Sequence, residues 1–290
     1  MIHFQKEFVA FICSKKELAA LDEDYVVQQI QEVFLSEHLT LKKFNDQAQK
    51  YSSFDKFKRS ALCKKILSLT RKKLRIAYGV YIKKPLKSFK KNIAKITSPT
   101  DDRISHLLEA HQSSQERFSV YKNIYKNIFD ALKEFDFPSS YSLLDLACGY
   151  NPFSYHYFPI KPTSYLAVDL SSEDMSLIND FFKVTNISGQ AYAYSLLSEE
   201  FFEWYTQQKP TLCFFLKTMD SIEQKKRHYS KTLLSSCPAP FVVVSFPLIS
   251  IGGKPLDADL RSWFTRFIEK EKWEYKTFSQ ANELFYIIKK

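Results

Sequence analysis

The 290-residue sequence has no run of about 18 or more apolar residues, which argues against a membrane-spanning helix. Its five cysteines (Cys13, Cys63, Cys148, Cys213 and Cys237) are odd in number and scattered, with no C-x-x-C pair. That usage excludes a disulfide framework or structural zinc site as a sensible reading, so no metal is expected and a reducing, cytoplasmic compartment is. The N-terminal segment has a short apolar patch but no basic leader, since Lys6 is offset by Glu7, and no signal peptide is expected. There is no G-x-G-x-x-G and no phosphate-loop lysine, which disfavours pyrophosphate or ATP. No Ser/His/Asp set or paired-carboxylate constellation stands out. The last absence is local. Residues 56–100 contain no Asp or Glu, yet hold fifteen Lys and Arg.

What remains is an uneven charge distribution. The chain carries +10 overall, with 42 basic and 32 acidic residues, so everything outside 56–100 sums to 27 basic against 32 acidic residues and is net acidic. With 45% hydrophobic residues it can bury a sizeable core. Before residue 140 the apolar spacing is helical: Phe8, Phe11 and Ile12, then Val26, Val27, Ile30 and Phe34 after an Asp22 or Asp24 cap. The basic stretch continues the pattern through Phe57, Leu62, Ile66, Leu69 and Leu74 until Gly79 and Pro85 interrupt it. Ser98-Pro99-Thr100-Asp101 and Ser113-Ser114-Gln115-Glu116 both read as helix starts.

From residue 141 the character changes. Ser142–Ala147, Tyr165–Leu170, Gln190–Tyr194, Leu212–Leu216 and Phe241–Phe246 read as strands separated by helices, which implies a parallel sheet. Trp273–Phe278 and Glu283–Ile288 read as an edge hairpin. The expected organisation is an all-helical, basic domain over 1–104, followed by a Rossmann-like α/β domain over 105–290. Ligands of open α/β sheets bind beyond the carboxyl ends of the strands. The turn Asp145-Leu146-Ala147-Cys148-Gly149-Tyr150-Asn151 and Asp169, an acid suited to ribose hydroxyls, fit S-adenosyl-L-methionine there.

Leu143-Leu-Asp-Leu-Ala-Cys-Gly-Tyr-Asn-Pro-Phe153 resembles the first motif of the aminoglycoside-resistance 16S ribosomal RNA methyltransferases, which modify guanine N7 in the decoding site. His111-Gln-Ser-Ser-Gln-Glu-Arg117, Phe214-Phe-Leu-Lys217, Ser245-Phe-Pro247, Gly252-Gly-Lys254 and Asn282-Glu-Leu-Phe-Tyr286 are similar to further motifs of that family, in order, over about 105–290. The resemblance implies an S-adenosyl-L-methionine-dependent methyltransferase acting on 16S-type rRNA within the assembled small subunit; a monomer without metal or membrane is expected. It implies that Arg117 meets the methionine carboxylate and that Lys217 lies near the target base or the cofactor.

Beside these, Asp145, Ala147, Gly149, Asn151, Asp169 and Ser195 are the cofactor candidates. Asp145 either orients the turn or meets the methionine ammonium, and Tyr150 is a candidate to stack on a base. Ser113 and Glu116 are read as capping residues, and Asn282 and Glu283 as turn and strand residues. For RNA phosphates the candidates are Lys64, Lys65, Arg71, Lys72, Lys73, Arg75 and Lys254. Guanine N7 carries an available lone pair in neutral guanine, so its methylation needs alignment more than a general base.

The sequence departs from the family at Ala147, where many members have glycine. It departs again after Lys254, where Pro255-Leu-Asp-Ala-Asp259 replaces a further basic residue and Gly-Met. The alternatives are another RNA nucleotide or RNA class as target, or a non-catalytic ribosome-binding protein of this fold.

Overall fold

The helical pattern and the later strand pattern both appear in the structure, a computed structural model that describes residues 1–250, 253–256 and 261–290. Seven strands form one sheet: β1 (Ser142–Leu146), β2 (Ser164–Asp169), β3 (Gly189–Ala193), β4 (Leu212–Leu216), β5 (Phe241–Pro247), β6 (Glu274–Gln280) and β7 (Glu283–Lys289). Their order is β3-β2-β1-β4-β5-β7-β6; the first five are parallel, while β7 runs antiparallel between β5 and β6.

The pleat sorts side chains onto two helix layers. On β4, Leu212, Phe214 and Leu216 join the core that contains the helices Tyr121–Lys133 and Ser172–Val184. Cys213 and Phe215 join the opposite core, formed with Glu199–Gln207, Met219–Lys225 and Ser262–Lys270. Order reverses between β1 and β4, so the ligand crevice belongs outside their carboxyl ends.

Residues 2–78 enclose a third core around Phe8, Ile30, Phe44, Phe57 and Leu74. The packing divides at a different place from the boundary expected after residue 104. Leu86, Ile93, Ile96 and Ile104 pack into the sheet's own core, so the seam in the packing lies between Tyr78 and Leu86. Two helix starts are also displaced. The helix expected from Ser98 begins at Arg103, because Ser98 Oγ and the Asp101 carboxylate are spent on the turn before it, accepting from the Thr100 and Arg103 amides. The helix expected from Ser113 is capped instead at His111 and ends at Arg117, before a separate helix Tyr121–Lys133. Arg117 therefore stands at a helix C-terminus, where its charge is favourable.

The long basic helix Ala61–Ala77 is capped by Ser60, whose Oγ accepts from Cys63 N, and it buries Cys63, Ile66, Leu67, Thr70 and Leu74. Its far end reaches the sheet. Tyr78 donates to Asp174 Oδ2 at 2.5 Å, and the Tyr81 and Ser221 hydroxyls lie 3.3 Å apart. Ser171 Oγ donates to Ala20 O at 2.7 Å, and Lys225 Nζ to the Tyr25 hydroxyl at 3.2 Å. Ser172–Val184 and Met219–Lys225 lie on opposite faces of the sheet, so the helical unit is tied to both layers across the carboxyl edge. Among the described residues no helix is long and apolar enough to cross a membrane.

Candidate cofactor cleft and its charged wall

A cleft opens where the fold predicts one. The segments that follow four parallel strands line it: Ala147 and Gly149 after β1, Asp169 and Leu170 at the end of β2, Tyr194 and Ser195 after β3, and Lys217 and Thr218 after β4. His111 and Ser113 close one side, and Ala77, Tyr78 and Tyr81 of the helical unit form the roof.

Backbone conformation makes the floor. Ala147 and Gly149 both have positive φ, +51° and +50°. A Cβ on Gly149 would stand 2.7 Å from His111 Cε1, so this position requires glycine both for its turn and for the ring above it. Ala147 has a Cβ in a conformation that disfavours one by roughly 1–2 kcal/mol. Ala147→Gly should therefore raise the denaturant midpoint, a net gain of about 0.5–1 kcal/mol once glycine's larger unfolded-state entropy is subtracted.

Asp169 ties the floor to the wall. Its Oδ2 accepts from Gly149 N and its Oδ1 from Leu170 N, both at 2.7 Å. Burial raises its pKa, and the two amide donors oppose the rise. Each oxygen keeps a lone pair, which is what a vicinal diol needs. Two other buried polar atoms in the same wall, His111 Nδ1 and Asp174 Oδ1, have no partner among the described residues. A polar ligand with hydroxyl and amino donors fits a wall of this kind. His111 is held neutral, its pKa pushed down to about 3 by burial and then by the Arg117 and Lys217 charges.

Asp174 was not singled out by the sequence. Burial raises its pKa to about 7, with Tyr78 as a partly compensating donor and Asp169 and Glu173 as repelling neighbours. The folded chain thus retains a proton that the unfolded chain loses near pH 4, and stability falls as pH rises from about 4 to about 7. Asp174→Asn removes this penalty. The variant should be more stable than its parent at pH 8, with the advantage vanishing by about pH 4, as measured by urea denaturation at each pH.

Several expected cofactor residues lie elsewhere. The pleat turns Asp145 away from the cleft into the helix layer, where it accepts from the Tyr165 hydroxyl at 2.6 Å and Asn151 Nδ2 at 2.8 Å. Burial lifts its pKa to about 6. Asn151 is buried too, its Oδ1 accepting from the Tyr125 hydroxyl at 3.0 Å. Both are scaffolding beneath the turn rather than lining residues. Tyr150 lines the cleft but is only 1% exposed, wedged against His111 with ring centroids 4.9 Å apart, so its face is not open to a base.

Arg117 is the largest displacement. Only 3% exposed, it forks onto Glu283, Nε to Oε2 at 2.9 Å and Nη2 to Oε1 at 2.7 Å, and does not line the cleft. The carboxylate meant for it is supplied by the protein. Lys217 pairs with Glu116 and stands 3.7 Å from Glu283 Oε2. Ser245 Oγ donates to Glu283 Oε1 and accepts from Lys217 N, the latter at 3.0 Å. Glu116 is therefore an ion-pair partner and not a capping residue, and Glu283 is a buried hub and not a plain strand residue. Glu116, Arg117, Lys217, Ser245 and Glu283 come from four separate motifs, which was the available signal.

A second hollow adjoins the first. It shares Tyr81, Ser113, Lys217 and Ser221 with the cleft and is rimmed by the exposed apolar residues Ile76, Val80 and Ile249. The basic helix leads to it: Lys64, Ser68, Lys72 and Ile76 form one exposed stripe at four-residue spacing. The other expected RNA contacts on this helix are engaged within the protein. Lys65 pairs with Glu37, Lys73 with Glu32, and Arg75 with Glu17, while Arg71 donates to Phe11 O and covers the Phe11 ring at 4.7 Å. Lys254 is exposed in the loop beside the second hollow; Gly252 and Asp257–Asp259, which belong to the resemblance and its departure, lie outside the described residues.

The ribosomal RNA methyltransferase (FmrO) family model matches residues 67–287. The 16S rRNA (guanine(1405)-N(7))-methyltransferase of Frankia casuarinae is 26% identical over 190 residues, 64% of each chain, so the match spans less than two thirds of that relative's length. The same-named protein of Proteus mirabilis is 25% identical over 220 residues, 69% of this chain and 73% of its own. Among solved structures, the 16S rRNA methyltransferase RmtF in complex with S-adenosyl-L-homocysteine superposes with a TM-score of 0.73 at 19% identity, covering 100% of this chain and 99% of that one. The 16S rRNA methylase RmtB gives 0.66 at 20% identity over 99% and 98%. At these identities the structures establish shared fold, and the family model extends from the basic helix to β7. The chain belongs to the ribosomal RNA methyltransferase (FmrO) family.

Proposed function

We propose that the protein is an S-adenosyl-L-methionine-dependent methyltransferase of 16S-type ribosomal RNA, acting at a guanine N7 in the decoding site of the assembled small subunit. The observation that carries this reading is the cleft itself: Asp169 joins the Gly149 floor at the carboxyl edge, beside a second hollow reached along a cationic stripe. The chemistry supplied by S-adenosyl-L-methionine when bound is a sulfonium methyl group open to nucleophilic attack. Asp169 accepts from the ribose hydroxyls, Ser195 and the backbone after β3 border the adenine, and Ala147 and Gly149 allow close backbone approach. Tyr78 and Tyr81 cover the site from the helical unit and exclude water. Lys217 stands between the two hollows and orients the target base by donating to an acceptor such as guanine O6. No side chain need remove a proton from N7, which places the catalytic burden on alignment.

The helical unit, together with residues 86–104, serves as the RNA-docking part in a cytoplasmic, monomeric enzyme. Among the described residues, five of its fifteen cations between 56 and 100 pair with Asp or Glu (Lys58, Lys65, Lys73, Arg75 and Lys87) and Arg71 is engaged with Phe11, so the phosphate contacts fall to the others. Lys64→Ala and Lys72→Ala should each weaken RNA binding and reduce its logarithmic salt slope by roughly 1 with unchanged S-adenosyl-L-homocysteine affinity. Arg75→Ala should instead lower thermal stability with a smaller change in slope.

Methyl transfer to purified small subunits, compared with naked rRNA and tRNA and followed by identification of the modified nucleotide, tests the whole proposal. Product at N7 of a decoding-site guanine is expected; modification of tRNA alone overturns it. The second reading, another nucleotide of the same RNA, is favoured by the acidic segment Pro255–Asp259 in place of the family's basic one.

A further inference from the structure

We infer that Glu283, on the C-terminal hairpin, is a positioning residue for Lys217 and thereby for the target base; this rests on the methyltransferase reading above. Among the described residues Lys217 is the one charged side chain shared by both hollows. Its side chain is only 8% exposed, so its ammonium has little freedom except along the line set by its two carboxylates. Those carboxylates are unlike each other. Glu116 retains 27% side-chain exposure and faces the second hollow, which makes it the partner that an incoming base can replace.

Glu283 cannot move. Arg117 grips both of its oxygens, and Ser245 Oγ donates to one of them. Ser245 also holds the Lys217 backbone, accepting from its N–H through Oγ and through its carbonyl oxygen, both at 3.0 Å. That backbone has φ +57°, a conformation a lysine keeps only when its surroundings impose it. The same three residues, Arg117, Ser245 and Glu283, therefore fix the root of Lys217 and stand behind its ammonium.

Charge balance gives the arrangement its direction. Arg117, Lys217, Glu116 and Glu283 sum to zero, with the Arg117–Glu283 pair neutral by itself. When a base displaces Glu116, Lys217 still has Glu283 behind it, and its ammonium stays directed along the axis between the hollows. A simple Arg–Glu staple would hold β7 without any tie to Lys217, whereas here the tie runs through both its main chain and its charge.

The experiment is steady-state methyl transfer to purified small subunits by the full chain carrying Glu283→Gln, Ser245→Ala or Lys217→Met, with S-adenosyl-L-homocysteine affinity by calorimetry and melting temperature on the same samples. For Glu283→Gln the expectation is a kcat lower by about 10- to 100-fold, with KM for subunits and cofactor-product affinity within about twofold, the split that misalignment alone produces. Ser245→Ala, which leaves every charge in place and decides the matter should Glu283→Gln not fold, should lower kcat by about 3- to 10-fold. Glu283→Gln added to Lys217→Met should lower kcat no further. A kcat within twofold of wild type in the folded variants overturns the inference, as does a multiplicative double variant or a parallel loss of kcat and cofactor-product affinity. If the unaltered protein transfers no methyl group, the methyltransferase reading falls and this inference with it; full activity in Glu283→Gln sinks the inference alone.

Discussion

Replacing Asp169 with alanine is expected to weaken binding of S-adenosyl-L-homocysteine by roughly 100- to 1,000-fold, the largest loss of any single substitution at the cleft. Two effects add. A charge-assisted hydrogen bond is worth about 1.5–3 kcal/mol, and the carboxylate has two oxygens positioned for two adjacent hydroxyls. Its removal also leaves the Gly149 and Leu170 amides, each donating at 2.7 Å, without an acceptor, so the floor loosens as the wall is lost. Asp169→Asn retains one acceptor oxygen and should fall between the two proteins. Calorimetric titration of all three, with circular dichroism showing that each is folded, provides the check. Equal affinity of Asp169→Ala and the parent would show that the acid at the end of β2 does not read the ligand.

The second large effect is on stability. Arg117→Ala leaves Glu283, whose side chain is 1% exposed, without its bidentate partner and with only Lys217, 3.7 Å away and already paired with Glu116, as a counter-charge in the core. Breaking one side of such a buried pair costs about 3–5 kcal/mol. For a chain of this size that corresponds to a fall in melting temperature of roughly 6–15 °C. Removing both partners as Arg117→Met with Glu283→Leu should recover much of that stability, because a well-packed apolar pair avoids the desolvation of two charges. Differential scanning calorimetry of the two variants separates this from the role implied by family resemblance. An arginine that contacts the cofactor carboxylate would lose affinity with little change in melting temperature. An arginine that neutralises Glu283 shows the reverse.

These two residues also mark how far the chain could be read without coordinates. Asp169 was legible because it depends on short-range pattern: an apolar strand ending in an acid, one strand after a D-x-x-C-G turn. The five parallel strands were legible for the same reason, and their observed limits differ from the expected ones by a residue or so. Arg117 was not, because its partner is 166 positions away and the motif containing it says nothing about which charge it will meet. Asp145 and Asn151 flank the turn that contains Ala147 and Gly149, but the positive φ at those two positions re-aims the backbone after β1, while Asp145 and Asn151 are drawn into a buried network with Tyr165 and Tyr125; linear spacing does not disclose that division.

The cationic stretch was read correctly as helix and too generously as surface. Composition counted Lys73 and Arg75 as free charges, while folding brought Glu32 and Glu17 against them. Asp174, Tyr78 and Tyr81 were invisible for a related reason. They matter through the approach of the helical unit to the sheet's edge, a contact between segments nearly a hundred positions apart.

The placement of β7 between β5 and β6 has a kinetic consequence. Strands that neighbour one another in sequence can pair as they form, but β5 completes its second edge only when a segment beginning 36 positions after its own last residue returns to it. Until then the Val242–Phe246 backbone offers open hydrogen-bonding groups, and Arg117 waits in an apolar layer without a counter-ion. Both conditions favour a late, slow closing step with a sticky intermediate before it. The carboxylate that completes the charged wall thus arrives with the strand that seals the sheet, so a molecule that has not finished folding cannot present an assembled site to RNA.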